Sequence, residues 1–153
     1  MCPKVAIKTD SLSKRLYAQD ASMYEQMPKG VAFPESGEDI ASLVRQAAAK
    51  KWSITARSTG TSLAGQTTGD GIIVDVSKHM NKVLEWNIEE RWVRVQPGII
   101  RDQLNRMAAP NELLFGPDTA TASRCMIGGM IGNNSAGLYS IKYGSTRNHV
   151  LEM

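Results

Sequence analysis

Hydrophobic and polar positions change period several times along the chain, and each change marks an element. Residues 4–19 are mixed, with Ser11 and Ser13 placed to cap a short helix carrying Leu12, Leu16 and Tyr17. Asp20-Ala21-Ser22-Met23-Tyr24 reads as a loop, and Gly30–Pro34 as a short extended segment stopped by proline. Ser36-Gly37-Glu38-Asp39 has a capping-box pattern. Behind it Ile40, Leu43, Val44, Ala47 and Ala48 recur at helical spacing, predicting a helix that ends near Lys50-Lys51. Ser53–Arg57 reads as a strand, so extended, helical and extended segments in turn predict a βαβ unit with parallel strands. The β-branched run Gly71–Val76 predicts a buried strand.

The second half has another rhythm. Lys82–Trp86 and Arg91–Val95 alternate in polarity, and Asn87–Glu90 between them suits a hairpin loop joining antiparallel, half-exposed strands. After Pro97-Gly98, Ile100, Leu104 and Met107 share a helix face that Pro110 ends. Leu113-Leu114-Phe115 leads into Gly116-Pro117-Asp118. Ile127–Gly137 is rich in small residues, yet Ile127, Met130 and Ile131 are too apolar for a solvated linker. Val150–Met153 begins an apolar run that stops at once, as expected of a chain cut short. The expected class is α+β. A small parallel βαβ subdomain over residues 1–76 is followed by the start of an antiparallel α+β subdomain over 77–153.

Between two apolar runs lies Arg57-Ser58-Thr59-Gly60-Thr61-Ser62-Leu63-Ala64-Gly65-Gln66. Its small and hydroxylic residues let backbone amides approach a ligand and let hydroxyls donate to it, as a phosphate cradle requires. A surface loop has the same composition. Its place after a parallel strand favours the cradle, because open α/β sheets bind ligands beyond the strands' carboxyl ends. The second small-residue stretch suggests one extended ligand held from two sides. Neither G-x-G-x-x-G nor G-x-x-x-x-G-K-[ST] occurs, which excludes the two common nucleotide-loop assignments.

Composition narrows the classes further. Hydrophobic residues make up 42% and charged residues 22% of the 153, and the net charge of +3 comes without a Lys/Arg cluster. That does not suggest nucleic-acid binding. Cys2 and Cys125 form no metal-ligand spacing, and His79 and His149 stand alone. Cys125, followed by Met126 and Ile127, is expected as a buried structural thiol, although Arg124 beside it would lower its pKa. Trp52, Trp86 and Trp92 are expected in packing, and Asp118 as a turn former or a polar pocket group. Ser62 and Ser123 have no convincing base partner. No apolar run is long enough to cross a membrane, and the first residues lack a signal-peptide core, so a cytoplasmic protein is expected.

The ordered motifs are Arg57–Gln66, Val95-Gln96-Pro97-Gly98, Gly116-Pro117-Asp118, Ile127-Gly128-Gly129, Asn133–Gly137 and Lys142-Tyr143-Gly144. Together they resemble the FAD-linked oxidases of the vanillyl-alcohol oxidase type. Asp20–Tyr24, ahead of Pro28, is similar to the D-lactate dehydrogenase and glycolate oxidase subunit branch. The likeness runs from about Tyr17 to Met153. It implies FAD bound by Arg57, Ser58, Thr59, Gly60, Thr61 and Ser62 around the pyrophosphate, with Gln66 and Thr67 closing the loop. It implies Pro117 and Thr121 along the isoalloxazine or ribityl region. It also implies Gly128, Gly129, Asn134, Gly137, Tyr143, Gly144 and Val150 on the second contact segment.

The chain departs from the family at several points. Residues 57–66 contain no His or Cys, so non-covalent FAD is implied. Met126 stands where a hydroxyl residue is usual, and Ser58 and Thr59 where small residues, often glycines, are common. The resemblance implies an oxidoreductase acting on a small 2-hydroxy acid, with hydride passing to flavin N5. The remainder of the enzyme would supply a cap domain, catalytic residues and an iron–sulfur segment, with a cytoplasmic or membrane-associated location. The present chain alone is expected to be inactive, to expose an apolar patch near residues 127–137 and to self-associate. The alternatives are an FAD/NADPH reductase domain of the same fold and a cofactor-free interaction module.

Overall fold

The computed structural model describes residues 5–153; Cys2 lies outside them. The chain divides into two compact units, Met1–Met80 and Asn81–Met153.

The first unit contains β1 (Ile7–Lys8), α1 (Ser11–Leu16), β2 (Gly30–Ala32), α2 (Gly37–Lys50), β3 (Ile54–Arg57) and β4 (Ile72–Asp75). The sheet order is β1-β2-β4-β3. β4 pairs in parallel with both β2 and β3, and β1 closes one edge antiparallel to β2. The parallel βαβ relation is therefore present, with β4 inserted between its two strands. This central position explains the apolar run: all four β4 residues are buried.

α2 starts where its capping residues predict. Ser36 Oγ accepts from the Asp39 amide at 3.2 Å, while the Asp39 carboxylate accepts from the Glu35 amide at 2.9 Å, one residue earlier than in a strict capping box. Lys51, at φ 53°, stops the helix. Leu43 and Ala47 pack with Ala32, Ile72, Val74 and Val76, but Val44 is half exposed, outside the buried stripe.

α1 differs from the sequence expectation. Its cap is Asp10, whose carboxylate accepts from the Ser13 amide at 2.8 Å, and Ser11 and Ser13 lie inside the helix. That bond holds the Asp10 carboxyl below its usual range. Leu12 and Leu16 point to solvent, and Tyr17 is the residue that turns inward.

The second unit begins with the hairpin of β5 (Val83–Asn87) and β6 (Trp92–Val95), whose register shifts between Val83 and Glu85. α3 (Arg101–Ala108) runs into a 3-10 turn at Ala109–Asn111 that contains Pro110. Leu104 and Ala108 are its buried apolar residues, and Met107 is exposed. The small-residue stretch is ordered: Ile127–Gly132 is helix α4. α5 (Ser140–Tyr143) and a 3-10 turn at Thr146–His149 follow. Ile99, Leu104, Cys125, Ile127 and Met130 form the core, with Trp86, Val93, Val95, Phe115 and Ile131 packed on it. Among the described residues no helix is long and apolar enough to cross a membrane.

Candidate cofactor site

The loop of residues 57–66 leaves the carboxyl end of β3, where Arg57 pairs with Asp75 of β4. Among the described residues, the backbone N–H groups of Gly60, Thr61 and Ser62 donate to no carbonyl oxygen. Gly60 sits at φ +70°, a conformation that favours glycine, and a Cβ there would stand 2.7 Å from Arg57 Nη2. The guanidinium is therefore folded against its own loop. It lies 5.1 Å from the Tyr17 ring centroid and donates to the carbonyls of Tyr17 (3.4 Å) and Thr67 (3.5 Å). Available amides beside a fixed positive charge suit an anion with several oxygens. The half-buried Ser58, Thr61 and Ser62 add hydroxyl donors. This donor set fits a pyrophosphate.

The residues after α1 hold the loop at both ends. Tyr17 Oη donates to Asp75 Oδ2 at 2.5 Å, and Asp75 Oδ1 accepts from the Ser77 amide at 2.7 Å. Burial, reinforced by the Asp75 carboxylate, pushes the Tyr17 phenol well above its usual range. The Ala21 amide donates to the Gly60 carbonyl at 3.0 Å. Asp20 Oδ2 accepts from the Thr67 amide (3.4 Å) and hydroxyl (3.1 Å), while Oδ1 accepts from the Ser22 amide (2.8 Å). Partial burial raises the Asp20 pKa, but the bonds from Ser22 and Thr67 outweigh it and hold the carboxyl below its usual range. The Tyr24 ring packs on Gly65, where a Cβ would stand 3.0 Å from Cδ2. Gln66 Oε1 accepts from the Ala64 amide at 3.2 Å, so Gln66 and Thr67 both shape the loop itself.

The other expected site residues lie in the second unit, many with partners of their own. Pro117 is buried, and its carbonyl accepts from Arg101 Nε at 3.0 Å. The Arg101 guanidinium also meets Asp102 at 2.9 Å and Asp118 at 3.1 Å. The Thr121 carbonyl accepts from the Arg124 and Cys125 amides. Cys125 is buried, with Thr119 Oγ1 3.1 Å and Met130 Sδ 3.5 Å from its sulfur. Gly128 and Gly129 lie in α4, and Pro97 fills the face that Gly128 leaves open, since a Cβ there would stand 2.6 Å from Pro97 Cβ. Asn134 Oδ1 accepts from the Arg147 amide at 3.0 Å. A Cβ on Gly137 would lie 1.7 Å from the Asp118 carbonyl oxygen. Tyr143 packs on Gly116, and its carbonyl lies 2.8 Å from His149 Nε2. Gly144, at φ +75°, precedes the 3-10 turn, and Val150 lines an apolar groove of about 730 Å³ with Trp92, Val95, Phe115, Ile127 and Ile131.

Arg101, Tyr17 and Asp20 have no place among the site residues expected from sequence, although Asp20–Tyr24 belongs to the segment similar to the hydroxy-acid branch. A signal existed for Arg101, which shares its helix face with Leu104 and Ala108 at spacings of three and seven.

A family model described as an FAD binding domain matches residues 28–153. The chain belongs to the FAD-binding domain family. It is 42% identical over 150 residues to the D-2-hydroxyglutarate dehydrogenase of Pseudomonas putida, covering 96% of this chain and 15% of that enzyme. It is 36% identical over 145 residues to the glycolate oxidase subunit GlcD of Bacillus subtilis, covering 93% of this chain and 31% of the relative. It is 30% identical over 133 residues to the mitochondrial D-lactate dehydrogenase [cytochrome] 1 of Saccharomyces cerevisiae, covering 84% and 22%. This chain thus spans only a minor part of each relative. Among solved structures, an alkyldihydroxyacetonephosphate synthase shares the fold at a TM-score of 0.82 and 22% identity, over 93% of this chain and 29% of the synthase. These relatives carry the names of 2-hydroxy-acid dehydrogenases and of a glycolate oxidase subunit, the branch that the ordered motifs resemble.

Proposed function

We propose that this FAD-binding domain forms part of a flavin-dependent oxidoreductase that oxidises a small 2-hydroxy acid, and that it holds FAD non-covalently. The carrying observation is the set of available amides at Gly60, Thr61 and Ser62 beside the Arg57 guanidinium, in a loop with neither His nor Cys. The amides and the hydroxyls of Thr61 and Ser62 bind the pyrophosphate, and Arg57 offsets its charge. The Pro117, Thr121, Gly128, Gly129, Asn134, Gly137, Tyr143, Gly144 and Val150 positions follow the rest of the cofactor, through backbone atoms where side chains are already engaged. FAD held there would supply the hydride-accepting chemistry, at flavin N5, and the part of this domain's residues is to bind and orient it.

The substrate class rests on the names of the relatives, which act on D-2-hydroxyglutarate, glycolate or D-lactate. Catalytic residues belong to the remainder of the enzyme. The exposed Leu138 and Ile141, together with the apolar groove, favour self-association of the isolated chain.

Titration of the purified chain into FAD tests the binding. Saturable quenching of flavin fluorescence is expected, with all flavin released on acid precipitation. Absence of any change in the flavin signal overturns the cofactor reading for this chain, and flavin that stays with the precipitate overturns non-covalent attachment.

A further inference from the structure

We infer that Asp20 is a positioning residue for the cofactor loop. Its carboxylate fixes Thr67, while the adjoining Ala21–Gly60 hydrogen bond holds the loop's other arm, so that the amides of Gly60–Ser62 stay set to receive a pyrophosphate. The inference rests on the FAD reading above.

The contacts are long-range. Asp20 and Thr67 are 47 positions apart, and the Thr67 amide and hydroxyl both point at Oδ2, at 3.4 and 3.1 Å. Oδ1 is occupied by the Ser22 amide at 2.8 Å. Two oxygens thus face three donors, and only an ionised carboxylate accepts from all of them. An asparagine at this position must turn an NH₂ group toward the donors of either Ser22 or Thr67. Nothing in the core of the unit depends on Asp20: Ala32, Leu43, Ala47, Ile72 and Val74 pack without it. Its removal is therefore expected to loosen the loop and leave the sheet intact. Arg57, which donates to the Tyr17 and Thr67 carbonyls, ties the same two segments together from the opposite partner.

The test compares the wild-type chain with Asp20→Asn, Thr67→Val and Thr67→Ser by FAD titration and by amide hydrogen exchange without FAD. Asp20→Asn is expected to weaken FAD binding about tenfold, the effect of losing a charge-assisted hydrogen bond. Thr67→Val is expected to lose less, and Thr67→Ser to keep wild-type affinity. Exchange over residues 58–68 is expected to accelerate in Asp20→Asn while α2 exchanges as before. Unchanged FAD affinity in Asp20→Asn overturns the inference, as does acceleration that reaches α2, which marks a general stabilising residue. If the wild type binds no FAD, the cofactor reading fails on its own. Exchange then decides whether Asp20 holds the loop: acceleration confined to 58–68 upholds that hold, and no acceleration removes it.

Discussion

The Tyr17 phenol donates to the Asp75 carboxylate at 2.5 Å, joining the end of α1 to the end of the central strand. Asp75 is only 3% exposed, so the phenol supplies a bond that water cannot readily replace. Tyr17→Phe should cost about 1–3 kcal/mol in denaturant unfolding, the penalty for a buried acceptor left short of a partner.

The same pair predicts an alkaline limit. The folded-state pKa of Tyr17 lies above the ordinary value of 10.0, so the protonated phenol is favoured in the folded chain. Its contribution is fully present below pH 10 and declines as pH rises above that value toward the folded-state pKa. Stability measured from pH 8 to 11 should fall more steeply in the wild type than in Tyr17→Phe. Parallel curves would remove the pair as the cause.

Two glycines of the second unit should respond oppositely to alanine. At Gly137 the new methyl would stand 1.7 Å from the Asp118 carbonyl oxygen, a backbone atom that cannot swing aside. Gly137→Ala should cost about 4 kcal/mol or prevent folding of the unit. At Gly132, the last residue of α4, nothing lies within 4 Å of the Cβ position. Gly132→Ala should be neutral or stabilising by up to about 1 kcal/mol. Thermal melting of both variants checks the contrast.

Arg101→Met keeps much of the side-chain volume but strips the Pro117 carbonyl and the Asp118 carboxylate of their shared donor. The Arg101 side chain is 11% exposed and Asp118 is 30% exposed, so water relieves part of the loss. A destabilisation of about 2–3 kcal/mol is expected. Faster amide exchange from Gly116 to Thr119 should accompany it, and unchanged exchange there would count against the assignment.

Ser36→Ala removes the hydroxyl that accepts from Asp39 and should cost about 1 kcal/mol. Ser36→Asp should restore the cap, and circular dichroism during unfolding distinguishes the two.

The elements legible in the sequence were those fixed by neighbours a few residues away. α2 was visible because cap, period and stop all fall within one segment, and β4 because a central parallel strand needs an unbroken apolar run. The helix at Ile127–Gly132 was hidden by three glycines, which local propensity opposes and packing against Pro97 permits. Asp10 caps α1, although the two serines that follow it carry the same signal in sequence. At the candidate site, the glycine and hydroxyl pattern of residues 57–66 pointed to the loop. Its fastening by Tyr17 and Asp20 depends on contacts spanning 40 to 58 positions, which no local pattern records.

The sheet order β1-β2-β4-β3 also constrains when the loop can take shape during synthesis. β1 and β2 can pair as soon as both have emerged, but β2 and β3 do not pair with each other. β3 has no partner until β4, the strand that the loop itself leads into, and only β4 joins it to β2. Until Asp75 has emerged, neither the complete sheet nor the acceptor for Tyr17 exists. A nascent chain halted before Ile72 should therefore leave the loop accessible to protease, and release of a few further residues should protect it in a single step.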